Sequence, residues 1–388
     1  MSGIRGRVAP GFEPVREAFA QNFEERSEVG AAVCVVRDGA PVVDLWGGVA
    51  DAASGRAWEE DTLAVVFSTT KGVTAACIHH LVERGVLDLD APVASYWPEF
   101  AVKGKAGILL RDVLSHRAGV PSVDAALTLE DVCAWDPVCE AIAAQAPLWE
   151  PGTRHGYHVR TFGWILGEVV RRATGATLGS YLAKEIADPL GLDLYIGLPL
   201  EHESRVAAML APLEPTDPKE VALRARVMGP DTLLGRALSG PSNLFRYGPM
   251  WNRRMLHATE MPSSNGIGSA RAVARLYAAL VGEVDGRRLL EPATIARARA
   301  PRSEGPDAVI HVPTRFGLGF MLPPSLSAAC PPSCFGHPGA GGSLGFADPE
   351  ARIGFGYVMN QMQLGLTGDA RAASLVESVY ESLGEFAA

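Results

Sequence analysis

Ser68 and Lys71 stand three residues apart in the run Phe67-Ser68-Thr69-Thr70-Lys71-Gly72. If this run opens a helix, positions i and i+3 share a face and both side chains reach one cleft. A serine hydroxyl is a poor nucleophile until a neighbouring base takes its proton. A lysine can be that base only when neutral, which demands a depressed pKa. A helix N-terminus supplies part of the depression, because its partial positive charge disfavours an ammonium and favours an alkoxide. The pair therefore has the ingredients of an activated serine. Ser-x-x-Lys fixes only two positions of four, and an N-cap serine followed by a solvated lysine fits the same letters. The flanks favour the chemical reading. Val65-Val66-Phe67 abuts the serine, and Val73, Ala76, Cys77, His80 and Leu81 form an apolar stripe at helical spacing. The lysine thus falls where the chain enters the core.

Two further runs carry chemistry. Tyr157 lies in Gly156-Tyr157-His158, just before a helix beginning near Arg160. A tyrosine in a glycine-flanked turn can be aimed into a cleft, although a half-buried tyrosine with a satisfied hydroxyl reads the same. The run Phe335-Gly336-His337-Pro338-Gly339-Ala340-Gly341-Gly342-Ser343 puts four glycines and a proline at the lip of a strand. Such a lip permits close backbone approach to a ligand, and its N–H groups could stabilise an oxyanion. Gly341-Gly342-Ser343-Leu344-Gly345 also fits the Gly-x-Ser-x-Gly nucleophile elbow. That elbow needs a strand before and a helix after. Here glycines precede and a strand-like run follows, so Ser343 is expected to be a decoy. His79, His80 and His116 read as packing residues without a chemical role.

The elements that must position these residues follow from periodicity. Residues 12–27 read as an amphipathic helix. The apolar runs Ala31–Val36 and Pro41–Trp46 flank Arg37-Asp38-Gly39-Ala40, a hairpin signal. From about 72 to 300 the pattern is mostly helical, with segments at 73–84, 161–174 ended by Gly175, 177–187 and 269–282. Strands return at Phe316–Met321, Ser343–Ala347 and Ile353–Asn360, with Asp348-Pro349-Glu350 as a turn. A helix at roughly 368–383 follows. Strands at both ends predict an α+β fold, an α/β sandwich whose antiparallel sheet is built from both chain ends and flanked by helices. Residues 1–72 and 300–388 would form this discontinuous domain, and 73–299 a large, mostly helical one. The site would lie in the cleft between them.

Composition narrows the function classes. The chain has 388 residues, 47% hydrophobic and 20% charged, with a net charge of −9. An acidic balance lacks the basic footprint of a nucleic-acid or anionic-membrane partner. No apolar run reaches membrane-spanning length. The N-terminal residues show no apolar leader core, so a cytoplasmic location is expected. Cys34 and Cys77 sit in apolar runs and read as buried free thiols. Cys330 and Cys334 flank a Pro-Pro-Ser loop without a second ligand pair, so no metal site is expected. No cofactor is called for, the partner is a small molecule, and the oligomeric state is not written in the sequence.

Taken together, these runs resemble the serine β-lactamase and penicillin-binding-protein-like superfamily, and within it the family VIII carboxylesterases, which share the class C β-lactamase fold. The resemblance spans about residue 28 to the C-terminus. Ser68-Thr69-Thr70-Lys71 matches the family's Ser-x-x-Lys. Leu114-Ser115-His116-Arg117-Ala118-Gly119-Val120 resembles a second family segment. Tyr157 falls at the family's catalytic tyrosine, and His337-Pro338-Gly339 where lactamases have Lys-Thr-Gly and esterases often have His-x-Gly. The resemblance implies Ser68 as nucleophile, Lys71 and Tyr157 as a shared general base and acid, and the N–H groups of Ser68 and Ala340 as oxyanion donors, with His337 and Gly339 in support. Within that shared unit, either the lysine is neutral or its ammonium pulls the tyrosine toward phenolate. The departures matter. Tyr157-His158-Val159 stands where class C lactamases have Tyr-x-Asn, so Val159 cannot bind the antibiotic's amide. His337 replaces a lysine that holds the β-lactam carboxylate. Both shift the expectation to hydrolysis of carboxylic esters, and the resemblance alone implies short-chain ones. The alternatives are a β-lactamase, a D-amino-acid peptidase or amide hydrolase, an acyltransferase, or a non-catalytic penicillin-binding-like protein. The stretch 224–262, with Met228, Phe245, Tyr247, Met250 and Trp251, is expected to line the pocket.

Overall fold

In a computed structural model, which describes residues 3–365 and 368–384, both ends of the chain meet in one antiparallel sheet. Its strands are β1 (Arg5–Val8), β2 (Gly30–Arg37), β3 (Ala40–Asp51), β4 (Arg56–Ala57), β5 (Phe335–Pro338), β6 (Leu344–Asp348) and β7 (Ile353–Met359). They lie in the order β1-β3-β2-β7-β6-β5, with β4 beside β3. The β2–β3 turn is Asp38-Gly39, and both residues have positive φ, at 49° and 79°. That is the twisted two-residue hairpin that Asp-Gly favours. Val35 pairs with Phe355 and Cys34 with Gly356, so the two chain ends join in the middle of the sheet.

The alternation in β7 sets the two helical layers. Gly354 and Gly356 point to one face and Ile353, Phe355 and Tyr357 to the other. The helices are α1 (Glu13–Glu25), α2 (Thr70–Glu83), α3 (Thr161–Thr174), α4 (Ala270–Val281) and α5 (Ala370–Leu383). α4 packs on the glycine face, where a Cβ at Gly354 would fall 2.2 Å from the Ala274 carbonyl oxygen. α1 and α5 pack together on the opposite side of the sheet. There the buried Arg371 of α5 pairs with Glu28 at 3.0 Å and with Asp369 at 2.8 Å. Between β4 and α4 most of the chain is helical, and α2 runs through its middle against α3 and β5.

Several sequence expectations shift. α4 falls within 73–299 yet lies across the sheet and not in the helical region, because its alanine-rich face fits the glycines of β7. The strand expected at Phe316–Met321 ends at Phe316, whose strand Pro313–Phe316 forms a hairpin with Ser303–Pro306. Gly317 and Gly319 break the extension, and only Met321 bridges back, to Phe316 and to Gly336 of β5. The helix expected at 177–187 is a short helix, Leu178–Leu182, followed by one π-helical turn, Ala183–Ala187. α2 is buried on nearly every side rather than along one stripe.

Candidate active site

The backbone makes Ser68 conspicuous. It lies in a 3₁₀ turn, Phe67–Thr69, that runs into α2, and the preceding Phe67 has φ of 45°. A non-glycine residue in that region stores strain of about 1–3 kcal/mol unless its surroundings enforce it. Here they do. Val66 donates to the Gly266 carbonyl at 2.8 Å, and the Gly266 N–H donates to Thr70 Oγ1 at 2.8 Å. The Phe67 ring meets Trp251 edge-on, with centroids 5.3 Å apart. Ser68 itself is partly exposed, as a reacting side chain must be.

Lys71, one residue into α2, is fully buried. Its Nζ lies 3.2 Å from Ser68 Oγ, 2.7 Å from the Val159 carbonyl and 3.0 Å from the Ser263 carbonyl. Among the described residues no carboxylate pairs with it. Burial, reinforced by the Arg160 charge, drives its pKa well below the usual lysine value. A neutral amine has two N–H bonds and one lone pair. The two carbonyls can only accept, so they take both protons. The lone pair is left facing the serine hydroxyl.

Tyr157 reaches the same serine from the other side. Its hydroxyl lies near enough to the Ser68 side chain for that group to draw its pKa down, and it lies 3.5 Å from His337 Nε2. Burial pushes its pKa above the ordinary tyrosine value, and Ser68 only partly opposes this. The Lys71 amine sits over the Tyr157 ring, 4.8 Å from its centroid, rather than at its hydroxyl. Of the two proton arrangements the sequence left open, the geometry favours a neutral lysine beside a protonated tyrosine. His337 is neutral as well, since burial is the chief cause that lowers its pKa to about 3. Its Nδ1 is 2.7 Å from the Pro338 carbonyl and must donate to it, so Nε2 is the acceptor that faces the tyrosine.

The glycine-rich lip closes the third side. A Cβ on Gly339 would fall 2.3 Å from the Val66 carbonyl, so only glycine lets the lip lie against the serine turn. Gly339 donates to the Ser343 carbonyl at 2.7 Å, and Gly342 to the Gly339 carbonyl at 3.1 Å. The Ala340 N–H between them has no acceptor among the described residues. Ser343 is buried. Its hydroxyl donates to the Val66 carbonyl at 2.8 Å and lies 3.1 Å from Thr69 Oγ1. It pins the lip to the turn and offers no exposed oxygen.

Of the other residues singled out in the sequence, Val159 contributes its carbonyl to Lys71. Phe245, Tyr247 and Met228 line an adjoining cavity of about 430 Å³. Trp251 lies behind that wall, stacked on Phe245 with centroids 5.4 Å apart. Met250 binds the Arg246 N–H through its sulfur at 2.9 Å. His79 holds the Leu318 carbonyl at 2.9 Å and His80 the Tyr181 hydroxyl at 2.8 Å, as packing residues do. Cys34, Cys77, Cys330 and Cys334 are buried free thiols, and among the described residues no His, Cys, Asp and Glu gather in a metal-binding group. No helix among them is long and apolar enough to cross a membrane.

Three further residues position the site: Asp307 and Arg371, which the sequence does not single out, and His116, which it gives only as a packing residue. Asp307 Oδ1 accepts the Tyr157 N–H at 3.0 Å and also those of Val309 and Ile310. His116 packs edge-on against the Tyr157 ring at 5.0 Å, and its Nδ1 accepts the His158 N–H at 3.2 Å. Arg371 donates to the Gly341 carbonyl at 2.7 Å and so ties the lip to α5. Asp307 sits in a Pro-Asp turn, a signal that could have marked it; a lone arginine thirty residues from the lip carries none.

A buried amine, a partly exposed serine in a strained turn and a tyrosine thus meet at one place, beside the glycine-rich lip of the sheet. The family model described as Beta-lactamase matches residues 15–378, and the chain belongs to that family. It is 36% identical over 368 residues to the Esterase/beta-lactamase LipL of Mycobacterium tuberculosis, covering 92% of this chain and 83% of the relative. Among solved structures it is similar to a family VIII carboxylesterase, with 40% identity, a TM-score of 0.89, and 98% and 99% of the two chains covered. It is also similar to a penicillin-binding-protein homologue from Caulobacter crescentus, with 38% identity, a TM-score of 0.87, and 98% and 100% covered.

Proposed function

We propose that the protein is a serine hydrolase of carboxylic esters, acting through an acyl-enzyme on Ser68, with the site in the cleft between the sheet-bearing and helical parts. The observation that carries this is the Lys71 amine, whose two carbonyl partners leave only its lone pair for the Ser68 proton. Support comes from the esterase relatives at 36% and 40% identity over nearly the whole chain. In this reading Ser68 Oγ attacks the ester carbonyl carbon as its proton passes to Lys71. The N–H groups of Ser68 and Ala340 hold the oxyanion, each worth about 2.7–4 kcal/mol of transition-state stabilisation. The carbon–alkoxy bond then breaks and the leaving oxygen takes the Tyr157 proton, which leaves a phenolate near the Lys71 ammonium. Water attacks the acyl-serine by the same steps in reverse.

Esters are favoured over β-lactams by what surrounds this machinery, since serine, base and oxyanion donors serve both. The amide of a β-lactam would meet the Val159 side chain, leaving buried polar atoms unpaired at about 1–3 kcal/mol each. Its carboxylate would meet a neutral His337 whose only N–H is already given to Pro338. The test is a paired assay of p-nitrophenyl butyrate and a chromogenic cephalosporin, with labelling by a phosphonate ester. The wild type should hydrolyse the ester, turn over the cephalosporin far more slowly and take the label. Ser68→Ala should lose turnover and label, while Ser343→Ala should keep both. A cephalosporin specificity constant matching that of the ester, or a label that survives Ser68→Ala, overturns the proposal.

A further inference from the structure

Arg160 is buried without a counter-ion. It is 8% exposed, and among the described residues no carboxylate pairs with it. Its Nε and Nη2 both donate to the Leu238 carbonyl, at 3.0 Å and 2.7 Å. Its guanidinium stacks 3.9 Å above the centre of the Phe245 ring. Those contacts explain its orientation but not its charge. A backbone carbonyl and an aromatic face do not neutralise a guanidinium, and buried charges are ordinarily paired. Burial lowers its pKa only to about 10, so it is cationic at neutral pH. Nη1 has no acceptor among the described residues. The acid on the same cavity wall, Glu214, is largely exposed and is taken by Arg224.

A second orphan stands beside it. The Tyr247 hydroxyl is buried and has no hydrogen-bond partner among the described residues. It lies close enough to Arg160 for the cation to draw its pKa down against burial. Both residues line the 430 Å³ cavity, and both act electrostatically on Tyr157, so the cavity adjoins the reacting centre. A forked cation and a phenol with free donors over one space match the two oxygens of a carboxylate.

We infer that this cavity receives a free carboxylate of the substrate, clasped by Arg160 and Tyr247, so that the preferred esters carry a second, ionised acid group. The inference rests on the esterase reading and narrows its substrate class. An acidic protein of net charge −9 gains nothing from long-range attraction of such substrates, so the preference must come from this local pair.

The experiment compares esters matched in length. One arm uses p-nitrophenyl hemiesters of succinate, glutarate and adipate against p-nitrophenyl esters of neutral acids of equal length. The other uses acetyl esters of hydroxy acids against acetyl esters of neutral alcohols, which tells whether the carboxylate belongs to the acyl or the alcohol side. In at least one arm, kcat/KM for the anionic ester should exceed that of its neutral partner about tenfold, the size expected for hydrogen bonds to a charged group. Arg160→Gln should bring that ratio to about one. Tyr247→Phe, which removes a hydroxyl that holds nothing in the fold, should lower it severalfold. A ratio at or below one in both arms, or a ratio unmoved by both substitutions, overturns the inference. Calorimetric titration with glutarate needs no turnover. Binding that both substitutions weaken upholds the anion site even if no ester is hydrolysed, and no binding to the wild type refutes it.

Discussion

Lys71 and Tyr157 divide one proton problem between opposite environments. Burial destabilises the charged form of each group, which lowers the lysine and raises the tyrosine. In the proposed mechanism the lysine then serves as base and the tyrosine as acid. Two expectations follow at this scale. Lys71→Ala and Tyr157→Phe should each cost about 10³-fold or more in kcat/KM, and the double substitution little beyond the worse single one, because members of one unit are non-additive. Multiplicative losses in the double variant would mean that the two act in separate steps. The pH profile should show one acid limb, because activity is lost as falling pH protonates Lys71. No alkaline limb from Tyr157 should appear below about 10, the ordinary tyrosine value. A limb near that value that vanishes in Tyr157→Phe would restore the phenolate route. That the serine and lysine lie side by side was legible from their spacing together with the apolar flanks. The state of their protons was not, because it depends on the carbonyls of Val159 and Ser263, which no local pattern brings to residue 71.

Elements of very different legibility hold these side chains. The Asp38-Gly39 hairpin and the helix closed by Gly175 could be read from a few letters because local backbone preference decides them. α4 has an equally clear helical period, yet its place on the sheet depends on glycines more than seventy residues downstream. The hairpin around Asp307 was missed because its turn is held by one carboxylate, not by a pattern of apolar residues. α2 shows how tight the packing is at the junction. A Cβ on Gly72 would fall 1.9 Å from the Tyr277 hydroxyl of α4 and 3.8 Å from the His337 Cβ. Gly72→Ala should therefore force α2 and α4 apart, at about 1–3 kcal/mol by the usual cost of overpacking. Denaturant unfolding measures the loss, and kcat should fall with it because Lys71 is the preceding residue. A variant as stable and active as the wild type would show that this junction has slack.

At the scale of the molecule, buried histidines link stability to acid. His79 and His158 are held down to about 4 and His337 to about 3, each chiefly by burial. In the unfolded chain they would protonate near pH 6.5. As pH falls from about 6.5 to 5, the unfolded state takes up protons that the folded state refuses, and stability drops. Glu28, pushed up to about 7 by burial, works the other way, since its folded form keeps a proton that the unfolded form has lost. Three groups against one leave roughly two protons, or on the order of 2–3 kcal/mol per pH unit. Urea midpoints measured between pH 7 and pH 5 should fall accordingly, and a flat series would contradict the assignment. The joining of both chain ends in the sheet has a further consequence, in time rather than energy. β2 finds its partner β7, and Ser68 finds His337, only after the long stretch of chain between them has left the ribosome. At about 5–20 residues per second, Ser68 waits roughly ten seconds to a minute for the lip that faces it. A chain terminated before His337 would carry the serine and the lysine but not the lip that faces them, and in the proposed mechanism it would be inert.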